Sequence, residues 1–243
     1  MTESGGIAAA GAPRLAVIGD GKMGRTLVQL APERGFTTCA LIGARHNPGG
    51  QGVSRATLNG AQVTVEFTEP QAAAANIEAA LRAGVAVVSG TTGWYDELPR
   101  LRALATELGG ALFTAPNFSV GVAVFARIAE RAATVLAPLT GFDAHIVETH
   151  HSAKKDAPSG TAAMLRDVMA GPLRKAVPVT SIRTGSVPGT HELIFDAPFE
   201  QIRLTHEARD RRVFADGALL AARWLIGRRG VFDMSDLLDS LLP

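Results

Sequence analysis

The stretch Arg14-Leu15-Ala16-Val17-Ile18-Gly19-Asp20-Gly21-Lys22-Met23-Gly24 decides the fold of the first part of the chain. A short apolar run leads directly into a loop with three glycines, and Leu27, Val28 and Leu30 then repeat at helical spacing. A strand, a glycine-rich turn and a helix in this order are typical of a βαβ unit that binds a dinucleotide, although a plain glycine turn of an α/β protein has the same pattern. The glycines allow a tight turn, close approach of the backbone to a pyrophosphate, and close packing of the helix.

The alternation of strands and helices continues beyond this unit. Further strands are predicted at Thr37–Ile42, Gln62–Phe67, Val85–Ser89 and Ala111–Thr114, and helices at Pro70–Ala83 and Asp96–Leu108. Strands that alternate with helices at this spacing predict an α/β fold with a Rossmann-like, doubly wound parallel sheet.

The second half of the chain has a different pattern. Helix Val120–Leu136, strand Asp143–Thr149 and helix Gly160–Met169 are followed by three strand-like runs without helices between them, at Val179–Thr184, His191–Asp196 and Gln201–Glu207. This pattern predicts a smaller α+β domain with a mixed sheet over residues 119–216. Residues 217–242 have a helical pattern, and we expect them to return to the first domain, which then comprises residues 1–118 and 217–243.

Composition restricts the kind of protein. The 243 residues suffice for one large or two small domains, and a net charge of +1 with scattered cations argues against a nucleic-acid binder. The single cysteine, Cys39, excludes an intramolecular disulfide and agrees with a reducing compartment. The sequence has neither a bilayer-length apolar run nor a signal-peptide pattern. We expect a cytoplasmic protein with a small-molecule partner, without nucleic-acid or membrane partners, and with a loose leader over Met1–Pro13.

Two imidazoles, two ammonium groups and a helix start lie together in Glu148-Thr149-His150-His151-Ser152-Ala153-Lys154-Lys155-Asp156-Ala157-Pro158-Ser159-Gly160-Thr161. His readily exchanges a proton near neutral pH, and a nearby Lys attracts a substrate anion. Ser159 can cap a helix whose first backbone N–H groups, on Gly160 and Thr161, suit a carboxylate or phosphate. The segment therefore predicts an acid–base site that binds an anion.

Alternatives exist for these side chains. Adjacent residues of a strand point to opposite sides, so only one of His150 and His151 should reach a reacting group. A lone His pair can also include a metal ligand, but the sequence has no further Cys/His cluster to complete such a site, and we predict no metal. Lys154 and Lys155 can simply be solvated, although the spacing to Ser159 favours a role for Lys154.

The loop after the second predicted strand bears on the choice of cofactor. A site for NAD usually has an Asp or Glu there, whereas this chain has Gly43-Ala44-Arg45-His46 and its next carboxylate is Glu66. Arg45 can contact a ribose phosphate, which favours NADPH, or it can be a solvated loop residue. Gly90-Thr91-Thr92-Gly93 and Ala115-Pro116-Asn117-Phe118 both follow strands, at positions where ligands collect, although ordinary turns have the same composition.

The motifs and their order resemble the dihydrodipicolinate reductase family over nearly the whole chain from Leu15. The most specific motif is His150-His151-x-x-Lys154-x-Asp156-Ala-Pro-Ser159-Gly160-Thr161-Ala162. The other motifs, in family order, are Gly90-Thr-Thr-Gly93, Ala115-Pro-Asn-Phe118-Ser-Val-Gly121-Val, Arg183-x-Gly185, Pro188-Gly-x-His191 and Gly230-Val-Phe-Asp-Met234.

The resemblance implies an enzyme that reduces 4-hydroxy-tetrahydrodipicolinate to tetrahydrodipicolinate with NADPH or NADH, in diaminopimelate and lysine biosynthesis. It also implies a homotetramer, with a cofactor domain built from both chain ends and a middle domain for substrate binding and oligomerisation. His150 would exchange a proton with the substrate, and Lys154 would donate one. The residues implied in substrate binding are His151, Ser159, Gly160 and Thr161. The residues implied in cofactor binding are Gly19, Asp20, Gly21, Lys22, Met23, Gly24, Arg45, Phe67, Gly90, Thr91, Thr92, Ala115, Pro116, Asn117 and Phe118.

Three features depart from the family pattern: a glycine loop one residue shorter than the commonest form, no acidic residue after the second strand, and a compressed segment between Met169 and Val179. Two rival interpretations fit the same architecture. One is an amino-acid dehydrogenase acting on aspartate, a class that lacks the His-His-x-x-Lys motif. The other is a non-catalytic dinucleotide sensor, which would not need a proton donor next to an anion-binding helix start (an anion seat).

Overall fold

A computed structural model describes residues 11–241. The strands in this range are β1 (Arg14–Ile18), β2 (Thr37–Ile42), β3 (Val63–Glu66), β4 (Ala86–Ser89), β5 (Ala111–Thr114), β6 (Asp143–His150), β7 (Val179–Arg183), β8 (Thr190–Ala197), β9 (Glu200–Glu207) and β10 (Gly230–Phe232). The α-helices are α1 (Lys22–Leu30), α2 (Pro70–Arg82), α3 (Leu98–Glu107), α4 (Val120–Leu136), α5 (Gly160–Leu173), α6 (Arg212–Leu225) and α7 (Met234–Leu241). The expected leader falls mostly outside the described residues. Among residues 11–241, no helix combines the length and the apolar character needed to span a membrane.

The chain divides into two compact units. The first unit contains the residues up to Pro116 together with Ala218–Asp233. The second unit contains Asn117–Gly217 together with the residues from Met234 onward.

The first unit is built on a six-stranded parallel sheet with the strand order β10-β5-β4-β3-β1-β2. β3 and β5 are buried at every position and β1 at every position after Arg14. Continuous burial of this kind is typical of parallel strands with both faces covered. On one face, Ile77 of α2 and Leu101 of α3 pack against strand residues such as Val87. The predicted doubly wound parallel sheet is confirmed.

The prediction of a helical tail is wrong at one element. β10 lies between α6 and α7 and pairs in parallel with β5, from Gly230 opposite Ala111 to Phe232 opposite Phe113. The Trp224 ring of α6 meets the rings of Phe113 and Phe232 edge to face, with centroids 6.0 and 5.0 Å apart. A three-residue strand shows no periodicity of its own, so these tertiary contacts decide its conformation.

The second unit has a four-stranded mixed sheet with the order β7-β6-β8-β9. β6 and β7 are parallel, and the other neighbours are antiparallel. Phe125 of α4 and Leu165 of α5 pack on one face of this sheet, against Phe195 and Ile146. This arrangement confirms the predicted α+β unit with its own sheet.

Helix α7 belongs to the second unit, although the sequence pattern predicts that the whole tail joins the first. Its Leu237 and Leu238 are buried, and Arg127 of α4 donates to the Ser235 carbonyl oxygen at 3.1 Å. Arg127 also forms an ion pair with Asp239 at 2.7 Å. The assignment of cofactor binding to one unit and substrate binding to the other stays a prediction.

Candidate active site

Strand β6 places two titratable side chains on the buried face of the second unit. Burial alternates along the strand, so that Ala144, Ile146, Glu148 and His150 all point inward. The first two are apolar and belong to the core, but the last two are polar. The carboxyl end of β6 therefore carries an acid and an imidazole into the interior.

The register of the sheet brings further polar residues beside them. Glu148 lies opposite Ser181 of β7 on one side and His191 of β8 on the other. His191 in turn lies opposite His206 of β9. His150 lies opposite Arg183 of β7, so four polar residues from β7, β8 and β9 lie beside the Glu148–His150 pair of β6.

Glu148 is fully buried and hydrogen-bonded on both oxygens. Its Oε2 accepts from Nδ1 of His150, while its Oε1 accepts from Arg183 at 2.7 Å and from the Ser159 backbone N–H at 3.3 Å. Burial alone would raise the pKa of Glu148, but hydrogen bonds from Arg183, Ser181 and His150 outweigh it and lower the pKa to about 2. The carboxylate is therefore charged at neutral pH.

His150 is held in one orientation. Because Nδ1 bonds Glu148, Nε2 is the nitrogen left to exchange a proton with a ligand. Burial lowers the pKa of His150; Glu148 opposes this effect, whereas Lys154 and Arg183 add to it. A Cβ on residue 189 would lie 3.0 Å from Nε2 of His150, so the glycine at this position avoids a close contact with that nitrogen.

His191 stands next to His150, with ring centroids 5.2 Å apart and the rings nearly perpendicular. Burial lowers the pKa of His191 to about 4, and the positive charge that His150 can carry contributes, so the His191 ring is neutral at pH 7. Its Nε2 lies 3.2 Å from Oγ of Ser159. His191 thus connects the imidazole of His150 to the start of α5.

Helix α5 begins at the site as the sequence predicted. Ser159 is the N-cap, and its Oγ accepts from the Ala162 backbone N–H at 3.2 Å. A Cβ on Gly160 would meet no described heavy atom within 4 Å, so its backbone is open to a ligand. Thr161 accepts a hydrogen bond at Oγ1 from Nδ2 of Asn117 at 3.1 Å. The first turn can therefore bind a carboxylate through its backbone N–H groups.

The loop between β6 and α5 holds the other predicted groups. Nζ of Lys154 lies 2.9 Å from Oδ1 of Asp156, which is more than half exposed. His151 lines an open cavity of about 560 Å³ together with Pro188 and Arg211, among others. His150 instead lines a cavity of about 40 Å³, so the two adjacent imidazoles face different spaces.

Glu148, His150 and His191 have donor atoms within 4.8 Å of one another, a spacing that a metal ion can use. However, the carboxylate already bonds the cationic Arg183 at 2.7 Å, and this charge would repel a second cation. We therefore interpret the three residues as a hydrogen-bonded cluster.

In the first unit, the glycine loop fits a pyrophosphate. A Cβ on Gly19 would lie 2.0 Å from the Phe67 carbonyl oxygen, and one on Gly24 would lie 1.8 Å from the Gly19 carbonyl oxygen. A Cβ on Gly21, the N-cap of α1, would meet no described heavy atom within 4 Å. Two glycines therefore permit close packing, and the third leaves an open approach to the helix N-terminus.

The remaining predicted cofactor residues lie at the carboxyl ends of the strands or in the loops that follow. Arg45 is exposed in a short 3₁₀ turn after β2. The carboxylate of Asp20 reaches this turn from the glycine loop, 3.5 Å from the Ala44 N–H. The ring of Phe67 packs on Gly90, where a Cβ would clash with it. The predicted turn 115–118 is divided: Ala115 and Pro116 belong to the first unit, and Asn117 and Phe118 to the second.

Several polar residues at these sites were missed by sequence reasoning. Glu148 could have been found, because the two-residue spacing to His150 puts both on one face of a strand. Arg183 and His191 occur in motifs shared with the family, and Glu66 is the first carboxylate after β2, but nothing in the local sequence assigns any of the three a role. Glu66 is fully buried at the end of β3, where its carboxylate accepts hydrogen bonds from Ser89 at 2.6 Å and Thr91 at 2.8 Å.

Fold and site together define a Rossmann-type oxidoreductase with a separate acid–base unit. Two family profiles match the chain: "Dihydrodipicolinate reductase, N-terminus" over residues 13–118 and "Dihydrodipicolinate reductase, C-terminus" over residues 121–238. The chain belongs to the dihydrodipicolinate reductase family. This membership decides against the rival interpretations of an aspartate-specific dehydrogenase and a dinucleotide sensor.

Individual relatives agree with the family profiles. The 4-hydroxy-tetrahydrodipicolinate reductase of Thiobacillus denitrificans is 39% identical, with 93% of this chain and 98% of the relative covered. The enzyme of the same name from Christiangramia forsetii is 31% identical with the same coverage. A dipicolinate-bound dihydrodipicolinate reductase from Paenisporosarcina sp. has a similar fold, with a TM-score of 0.76 at 22% identity over 93% of this chain and 99% of that one.

The glycine loop yields a matched pair of variants. Gly24→Ala should lower the free energy of unfolding by about 1–3 kcal/mol, because its Cβ would overlap a backbone oxygen. Gly21→Ala should cost less than about 1 kcal/mol, since its Cβ has space, but should weaken NADPH binding by obstructing the approach to the helix. Denaturant unfolding and calorimetric titration with NADPH measure both effects. Equal destabilisation by the two variants would contradict this account.

Proposed function

We propose that the chain reduces 4-hydroxy-tetrahydrodipicolinate to tetrahydrodipicolinate with NADPH or NADH, in diaminopimelate and lysine biosynthesis. Membership in the dihydrodipicolinate reductase family supports the reaction. The observation that carries it to particular residues is the buried Glu148–His150 pair beside the open first turn of α5. A proton donor and a carboxylate seat in one place suit a cyclic dicarboxylic acid that must be protonated as it is reduced.

The proposed substrate loses water and then takes up one hydride and one proton. A bound nicotinamide would supply the hydride. The Gly160 and Thr161 N–H groups would hold one carboxylate, with Lys154 as a cation nearby and a second proton donor, and with His151 and Ser159 completing the substrate contacts. Nε2 of His150 would deliver the proton to the ring. Because an anion raises the pKa of a neighbouring imidazole, binding of the dicarboxylate would favour the protonated form of His150.

Residues that belong mainly to the first unit would hold the cofactor. The proposed contacts are those of the glycine loop, Arg45, Phe67 and the turns Gly90–Thr92 and Ala115–Phe118. Arg45 favours a ribose phosphate, whereas the Asp20 carboxylate beside the same turn can accept hydrogen bonds from ribose hydroxyls. We therefore propose that NADPH and NADH are both used, and that Arg45 binds the ribose phosphate of NADPH.

The direct test is to mix the protein with freshly generated 4-hydroxy-tetrahydrodipicolinate and follow the absorbance of NADPH and of NADH. We expect substrate-dependent consumption of both nucleotides. Arg45→Ala should lower kcat/KM for NADPH about tenfold, the value of one charge-assisted contact, and should leave NADH unaffected. Absence of any turnover would refute the proposed function, and an unchanged NADPH value would remove Arg45 from the site.

The catalytic roles are tested in the second unit. His150→Gln and Lys154→Ala should each lower kcat about 10²-fold or more, because a positioned acid supplies about 10²–10⁴-fold. NADPH affinity should stay nearly intact. Lys155→Ala is the matched control, since this exposed lysine is adjacent to Lys154, and it should retain full activity. Steady-state kinetics and NADPH titration distinguish these outcomes, and full turnover by either site variant would remove that residue from its role.

We further propose a homotetramer located in the cytoplasm. Exposed apolar residues in the second unit support the assembly. The exposed fractions on α4 and β9 are 40% for Val124, 46% for Ile128, 51% for Val135 and 37% for Ile202. Together they line a largely apolar groove, and patches of this kind usually mark an interface. The single cysteine supports a reducing compartment.

The assembly can be measured by light scattering after size-exclusion chromatography. We expect the mass of four chains for the native protein. Ile128→Asp should reduce this mass, because it places a charge in the apolar groove, whereas Lys155→Ala should not. A native protein that elutes as a single chain at micromolar concentration would contradict the homotetramer.

A further inference from the structure

We propose that Glu148 is a positioning residue that fixes the proton donor and the substrate anion seat to one another. The inference rests on the proposed function, since it concerns how that site is held together. Glu148 lines neither of the cavities beside the two imidazoles, so its role is to act through the residues that it bonds.

The two oxygens of this carboxylate have separate partners. Oε2 bonds Nδ1 of His150, and Oε1 bonds the backbone N–H of Ser159. Ser159 caps α5, so its position sets where the open first turn of that helix begins. One rigid group with no exposed surface therefore determines both the orientation of the imidazole and the position of the carboxylate seat.

Arg183 stabilises the charged form of Glu148. Its Nη2 lies 2.7 Å from Oε1, and its side chain is largely buried. The same nitrogen donates to the Asp156 carbonyl oxygen at 2.6 Å, in the loop that carries Lys154. Arg183 thus connects β7, the carboxylate and the lysine loop. A buried carboxylate without such a partner would be protonated or would disrupt the fold.

The charges that face His150 come from several elements. Glu148 on its own strand favours the imidazolium, while Arg183 of β7 and Lys154 of the loop oppose it. His191 of β8 is the neighbouring ring, and His206 of β9 lines the same small cavity. Burial lowers the pKa of both of these histidines, so they are neutral at pH 7 and add no charge there.

These opposing charges give two variants with effects of opposite sign. The imidazolium is the acid, so kcat/KM should fall as pH rises through the pKa of His150. Glu148→Gln removes the anion, lowers this pKa and should move the alkaline limb of the profile to lower pH. Lys154→Ala removes a cation that does not bond Glu148, raises the pKa of His150 and should move the limb to higher pH. A general loss of structure would not produce shifts of opposite sign.

Glu148→Gln should also lower kcat about 10–100-fold, by analogy with residues that orient a functional imidazole. Its matched control is Glu192→Gln on strand β8. Glu192 also pairs with an arginine, Arg203 at 2.9 Å, but outside the site. Glu192→Gln should leave kcat and the pH profile unchanged, and thermal unfolding of all variants establishes that they fold.

An NMR titration of the free protein tests the same claim without turnover. Imidazole ¹⁵N shifts, assigned through the signal that His150→Gln loses, report the tautomer and the pKa of His150. We expect a proton on Nδ1 in the neutral native ring, and the same two opposite pKa shifts in the variants. Unshifted titration in a folded Glu148→Gln protein would overturn the positioning role. If the variants show these shifts but the native protein shows no turnover, the proposed function alone is refuted.

Discussion

The second unit is organised by a carboxylate that has no contact with solvent. Transfer of a charged group from water into a protein interior is costly unless other groups bond it on all sides. Glu148 meets this requirement with a guanidinium, an imidazole and a backbone N–H that come from β7, β6 and the start of α5. Two strands and a helix are therefore held around one point, and that point adjoins the proposed proton donor.

The first unit buries a carboxylate by different means. Glu66, at the end of β3, accepts hydrogen bonds from the hydroxyls of Thr68, Ser89 and Thr91. Ser89 is the last residue of β4, Thr91 lies in the turn Gly90–Gly93, and Thr68 follows β3, so the network fixes the backbone where the cofactor contacts are proposed. Neutral donors suit a group that only holds loops in place. A cationic partner, as at Glu148, also influences a neighbouring titratable group, which suits an acid–base site.

Much of the architecture could be predicted from local sequence. The strands from β1 to β9 and the helices from α1 to α5 were recognised from periodicity, glycine turns and caps, with ends differing by a few residues. The anion seat was also local, because Ser159, Gly160 and Thr161 are adjacent and any helix start has the same free N–H groups. Strand β10 was not predictable, since its three residues become a strand only by pairing with β5.

The sequence by itself determined the fold class, the family, and the segment that carries His150, Lys154 and the α5 cap, because each depends on residues that are close along the chain. Tertiary structure alone decided which groups surround His150. Arg183 is 35 residues from Glu148 along the chain and reaches it through strand register. Tertiary structure also placed the Asp20 carboxylate beside the loop after β2, a loop whose own sequence contains no acidic residue. The physical reason is that cross-strand pairing and loop packing join distant segments, and their polar groups show no periodicity that would reveal the contact.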